Sequence, residues 1–176
     1  MTTFEWLPAL VEFDGNWNNF HAYENRVYEA FLDDFVRRRP LMFYGVRVTL
    51  RRHPEYQCKS ASFWHLVTEG KIEENRSPVV ERCERIRWPR AILERASVEK
   101  DLPSWRSQRG REVRVLVALA DFSYVVVLDK RTPPGADQYL LLLTAFPVEA
   151  EHRRAKLARE HDEWMRESAK TSPQKG

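Results

Sequence analysis

The chain of 176 residues is poor in several things at once. It has two cysteines, Cys58 and Cys83, too few for a disulfide framework or a four-thiolate zinc site, which points to a reducing compartment. Its six glycines include no close pair, so a backbone cradle for a cofactor phosphate has nothing to build on. The nucleotide-binding glycine fingerprint, the H-E-x-x-H zinc motif and the G-x-S-x-G nucleophile elbow are all missing. The histidines, His21, His53, His65, His152 and His161, are scattered at spacings that suit no ordinary metal motif, so neither metal nor cofactor is expected. No apolar run approaches the ~20 residues needed to span a bilayer, and residues 1–6 carry no basic, then apolar, leader pattern. A cytoplasmic protein without a membrane role is the expectation. Charge of one sign is scarce too. With 29 Lys and Arg against 26 Asp and Glu, the net charge is +3, so only local clustering of Arg could recognise a polyanion.

What is present is material for a core, 43% hydrophobic and 12% aromatic residues. The length suits one domain, expected over residues 1–167, with 168–176 as a disordered polar tail. Residues 17–38 read as an amphipathic helix on Phe20, Val27, Phe31 and Phe35, closed by Arg37-Arg38-Arg39 and stopped by Pro40. Alternation in Val46-Arg47-Val48-Thr49-Leu50 marks a strand. Residues 60–68 fit neither period cleanly. A loop over 70–78 leads to a helix expected from Val79 to Arg87, which Trp88-Pro89 should break or kink before a second helix over 90–99. Two β-branched runs, 113–119 and 124–128, have hairpin grammar, and a loop over 129–137 precedes a third strand over 138–146. A charged helix over 149–167 closes the chain. The class is α+β: helices first, then an antiparallel meander.

The densest polar chemistry surrounds Phe63-Trp64-His65 and the run Arg76, Glu81, Arg82, Glu84, Arg85, Arg87, Arg90. In a helix, Arg82 and Arg85 would share a face, and Glu81 and Arg85 would form an i,i+4 pair. One reading is a solvated helix with internal ion pairs around a core histidine. The other is an anion site: guanidiniums bind phosphate oxygens bidentately, a half-embedded histidine can move protons near neutrality, and Trp64, Trp88 and Trp105 offer stacking surfaces for unpaired bases. Those are the parts of a metal-independent ribonuclease.

The order Gly15-Asn16-Trp17, Asp34-Phe35, Phe63-Trp64-His65, Arg82-Cys83-Glu84-Arg85-Ile86-Arg87-Trp88, Tyr124-Val125-Val126-Val127-Leu128 and Leu142-Leu143-Thr144-Ala145-Phe146 resembles a family of small bacterial and phage-island proteins. These in turn resemble the Barnase–EndoU–colicin–RelE group of ribonuclease folds, which includes toxins of toxin–antitoxin pairs. The resemblance implies N-terminal helices packed on a curved antiparallel sheet of about four strands, with a C-terminal helix. It also implies RNA as substrate, no metal, and a cognate antitoxin or other protein partner. Carried over by position, His65 is the implied acid/base, Arg82 and Arg85 hold phosphate, and Thr144 orients it. Lys59, Lys130 and Arg131 are further implied substrate contacts, and Arg76 and Trp88 join them as the cationic and stacking groups read from the residues themselves. The chain departs from the pattern at Cys58-Lys59, where a glycine is expected before the lysine. A non-catalytic RNA- or protein-binding module, including an immunity or regulatory partner, is the alternative, and the sequence leaves open whether catalysis occurs.

Overall fold

The structure, a computed structural model, describes residues 4–70 and 76–171. Helix α1 (Phe20–Leu32) follows a 3-10 turn at Trp17–Asn19 and widens into a π turn at Asp33–Arg37. Its buried stripe is Tyr23, Val27 and Phe31, the four-residue spacing that one helical face requires. Strands β1 (Met42–Phe43) and β2 (Val46–Thr49) form a tight hairpin. Both turn residues have positive φ, 46° at Tyr44 and 77° at Gly45, as a primed two-residue turn demands.

The ambiguous segment resolves as helix α2 (Ala61–Val67). Ser60 caps it by accepting a hydrogen bond from the Phe63 N–H, and Phe63, Leu66 and Val67 are buried. Short strands β3 (Thr68–Glu69) and β4 (Ser77–Pro78) pair as a ribbon; the expected loop's residues 71–75 lie outside the described residues. Helix α3 (Val80–Glu84) is shorter than the expected 79–87. Helix α4 (Trp88–Val98) takes Pro89 into its first turn, where the missing N–H costs no helical bond. Strands β5 (Ser104–Arg109), β6 (Glu112–Ala118), β7 (Tyr124–Arg131) and β8 (Tyr139–Pro147) precede helix α5 (Glu151–Thr171).

The fold is α+β, with one correction to the expected sheet. Among the described residues it has six strands in the order β1-β2-β8-β7-β6-β5, and it is mixed, because β2 runs parallel to β8. The meander β5–β8 is antiparallel throughout. The two additional strands are β1, which pairs with the expected strand β2, and β5, whose polar sequence Ser-Trp-Arg-Ser-Gln-Arg suits an edge strand better than a core one. Helix α5 also continues to Thr171, through residues expected in the tail, while 172–176 lie outside the described residues.

The sheet carries a core on each face. One face packs Val117, Val126, Leu128, Leu140 and Leu142 against Phe31, Phe63, Ile92 and Leu93 of the helices. The opposite face packs Trp105, Leu116, Ala118 and Val125 against Leu157 and Trp164 of α5. A buried charge network fixes α4 to the end of α1: Arg90, 1% exposed, donates to the carbonyls of Asp34 and Arg39 and to Glu94. Asp34, 2% exposed, accepts from Arg38 and Arg87. Arg38, Arg87 and Arg90 therefore belong to the scaffold.

Candidate functional site

Strand β2 pairs with β8 only as far as Thr49 opposite Leu141. Beyond that point β8 acquires a different neighbour, helix α2, and the Thr144 hydroxyl donates to the His65 carbonyl at 3.0 Å. A bulge helps to place Thr144. Val127 faces Thr144 while Leu128 faces Leu142, which leaves Leu143 as the extra residue. On the other side the chain before α2 is tied back, with Arg51 N–H donating to Ser62 Oγ at 2.7 Å and Ser62 N–H to the Arg51 carbonyl at 2.9 Å. Where β2 gives way to α2 a cleft of about 390 Å³ opens.

Among the described residues four arginines line it, Arg51, Arg76, Arg82 and Arg114, together with His65, Thr144 and Glu69. Leu141, Leu142, Leu143 and Phe146 supply an apolar wall from β8. His65 sits half-buried in the last turn of α2. Arg82 donates to the Thr68 carbonyl at 2.8 Å, lies 5.3 Å from the Phe146 ring centroid and comes within 3.7 Å of Glu69. Arg76 donates to the Thr68 hydroxyl at 2.7 Å and to the same Thr68 carbonyl at 3.1 Å. One carbonyl thus holds two guanidiniums side by side. Burial lowers the Arg82 pKa from the ordinary guanidinium value, the neighbouring Arg76 pushes it the same way, and Glu69 opposes them. Arg114 pairs with Glu112 at 2.7 Å, and its buried Nε has no acceptor among the described residues. An anion entering the cleft would relieve the mutual repulsion of Arg76 and Arg82 and give unsatisfied donors a partner.

Of the residues singled out in the sequence, His65, Arg76, Arg82 and Thr144 come together here. The others do not line the cleft. Arg85 fails to share a face with Arg82 because α3 ends at Glu84; its guanidinium lies 5.1 Å from the Trp88 ring and donates to the Glu81 carbonyl. Trp88 donates its indole N–H to the Pro8 carbonyl at 3.0 Å. Lys59 is 5% exposed, with its ammonium 3.0 Å from Glu24 and beside the Tyr28 and Trp64 rings. Lys130 and Arg131 lie within β7 rather than in a loop, and Arg131 pairs with Asp129. Glu84 accepts from the Phe13 N–H at 3.3 Å and holds the N-terminal segment to α3. Sequence reasoning missed Arg51, Arg114 and Glu69. Arg51 stands just past a recognised strand, and Arg114 alternates with apolar residues along another, which marks it as facing away from the core.

Among the described residues no group of His, Cys, Asp or Glu is placed to hold a metal ion, and no helix is long and apolar enough to cross a membrane. Fold and site together define an α+β protein with an arginine-lined cleft beside a histidine. Comparison with family models, with curated proteins and with solved structures finds no match.

Proposed function

We propose that this cleft binds the phosphodiester backbone of RNA and cleaves it without a metal, in a cytoplasmic, toxin-like endoribonuclease of the Barnase–EndoU–colicin–RelE kind. The observation that carries the reading is the convergence of His65 with Arg51, Arg76, Arg82 and Arg114 in one cavity. The reaction is transesterification. The ribose 2′-oxygen forms a bond to phosphorus as its proton leaves to a base, and the bond from phosphorus to the 5′-oxygen breaks as an acid protonates it. A 2′,3′-cyclic phosphate and a 5′-hydroxyl result. His65 is the imidazole of the cleft and serves in proton transfer, with Glu69 the carboxylate available as its counterpart. Arg76 and Arg82 stabilise the negative charge that builds on the phosphoryl oxygens. Thr144 holds the His65 backbone and so positions the end of α2.

The decisive experiment incubates the purified protein with total RNA, with and without EDTA, beside His65→Ala. Cleavage insensitive to chelator and reduced roughly 10²–10⁴-fold in His65→Ala is expected. Full activity in His65→Ala, or loss of activity with EDTA, overturns the assignment. A second reading, an RNA-binding module without catalysis, is favoured by one feature: Arg76, Arg82 and Arg114 already bond to their own chain. It predicts salt-sensitive RNA binding with no products. An antitoxin-like protein partner would act by covering the cleft.

A further inference from the structure

At the far end of the sheet from β1, a groove of about 190 Å³ runs between strand β5 and helix α5. Its strand side is residues 105–108, and its helix side is Glu160, Glu163, Trp164 and Glu167. Among the described residues strand β5 pairs with β6 alone, which leaves its other edge open. The Ala118 N–H donates to the Pro103 carbonyl at 2.9 Å, which sets the alternation of the ladder. Trp105 and Ser107 therefore exchange bonds with Leu116 and Arg114, while the peptide groups of Ser104, Arg106 and Gln108 face outward. An open edge of this kind is a template for one more strand.

Two further observations specify the chemistry. Glu160, Glu163 and Glu167 fall at helical spacing on one face of α5, and among the described residues none of them forms a salt bridge. Trp105 is 2% exposed and its indole N–H has no acceptor among the described residues, while the buried Glu160 Oε2 has no donor. An unpaired buried donor and an unpaired buried carboxylate oxygen in one groove both cost stability. A polypeptide supplies both missing partners, carbonyl oxygens for the indole and cationic side chains for the carboxylates.

We propose that an extended, lysine- or arginine-bearing segment of a partner protein adds to β5 as a further strand, its basic side chains meeting the carboxylates of α5. A second copy of this chain is a poorer occupant. Symmetric pairing of two β5 edges would set the carboxylate stripes of both α5 helices against each other, which is repulsive. The surface is separate from the cleft, so the inference stands whether or not the protein cleaves RNA.

The test titrates the protein with the capped peptide Lys-Val-Lys-Val-Lys-Val, with its Glu-Val counterpart, and with a Lys-Val peptide N-methylated at alternate residues. Binding is read by tryptophan fluorescence and calorimetry at low and high salt. The lysine peptide is expected to bind, to weaken as salt rises, and to weaken roughly tenfold or more against Glu163→Lys/Glu167→Lys. The glutamate peptide and the N-methylated peptide are expected not to bind. No binding of the lysine peptide overturns the proposal. So does equal binding of the glutamate or N-methylated peptide, or a concentration-dependent dimer that blocks the edge.

Discussion

Arg82 and Arg85 stand three positions apart in a run of alternating charge, yet they do different work. Arg82 reaches over the Phe146 ring into the cleft, and Arg85 turns back onto Trp88. Arg82→Ala is therefore expected to cut RNA cleavage about 10²-fold by removing a charge-stabilising donor, and Arg85→Ala to leave it close to wild type. Initial rates on a defined oligonucleotide check this pair. Equal losses in both variants would contradict the geometry. The two cysteines also separate at this scale. Cys58 is exposed and Cys83 is buried, and burial, with Glu24 and Glu84 nearby, pushes the Cys83 thiol up to about 12 from an ordinary 9.0. Alkylation of native protein at pH 8 is expected to modify Cys58 alone, and both residues after denaturation, as mass spectrometry would show. Because the folded value lies above the unfolded one, the neutral thiol contributes fully below pH 9.0, and its contribution is lost as pH rises toward about 12. The presence of a cation-rich site was legible in the run of residues 76–90, but its membership was not. The Thr68 carbonyl selects Arg76 and Arg82 from that run, while Asp34 and Glu94 claim Arg87 and Arg90. Such competition for partners is tertiary and leaves no local mark in a sequence.

At the scale of elements, the strongly periodic pieces were readable: α1, the β6–β7 hairpin, β8 and α5 all appear near their expected places. Three others were hidden for physical reasons. Segment 61–67 is apolar nearly all round, so its period is masked, and the Ser60 cap is its clearest sign. Strand β5 is a polar edge with one deeply buried side chain, Trp105. The parallel pairing of β2 with β8 joins residues some ninety positions apart and has no local signature. Trp105 ties β5 and the α5 face together, so Trp105→Ala is expected to destabilise the protein by about 3–5 kcal/mol in chemical denaturation. Arg90→Met tests the other side of the sheet. It strands the Asp34 and Arg39 carbonyls, with an expected loss of about 3 kcal/mol and no change in the cleft residues. A loss well under 1 kcal/mol would show that the network relaxes freely.

For the whole molecule, a net charge of +3 on a surface of mixed sign leaves little long-range attraction for a polyanion. Under the proposed function, affinity for RNA must then come from the cleft itself. With four arginines lining it, the plot of log affinity against log salt for a short single strand is expected to have a slope no steeper than about −3. A much steeper slope, measured by fluorescence anisotropy, would place phosphate contacts well outside the cleft.

The position of β8 has a consequence for how the molecule is made. It lies between β2 and β7, contributes Leu141, Leu142, Leu143, Thr144 and Phe146 to the cleft wall, and of the six described strands of this sheet it leaves the ribosome last. Until then Arg51, Arg76 and Arg82 have no wall to face, and the growing chain holds an unfinished sheet. Under the proposed function, the nascent chain is thereby kept inert toward RNA beside the translation machinery that is producing it. Chains ended before Tyr139 should be inactive toward RNA and prone to aggregate, however intact their arginines and His65.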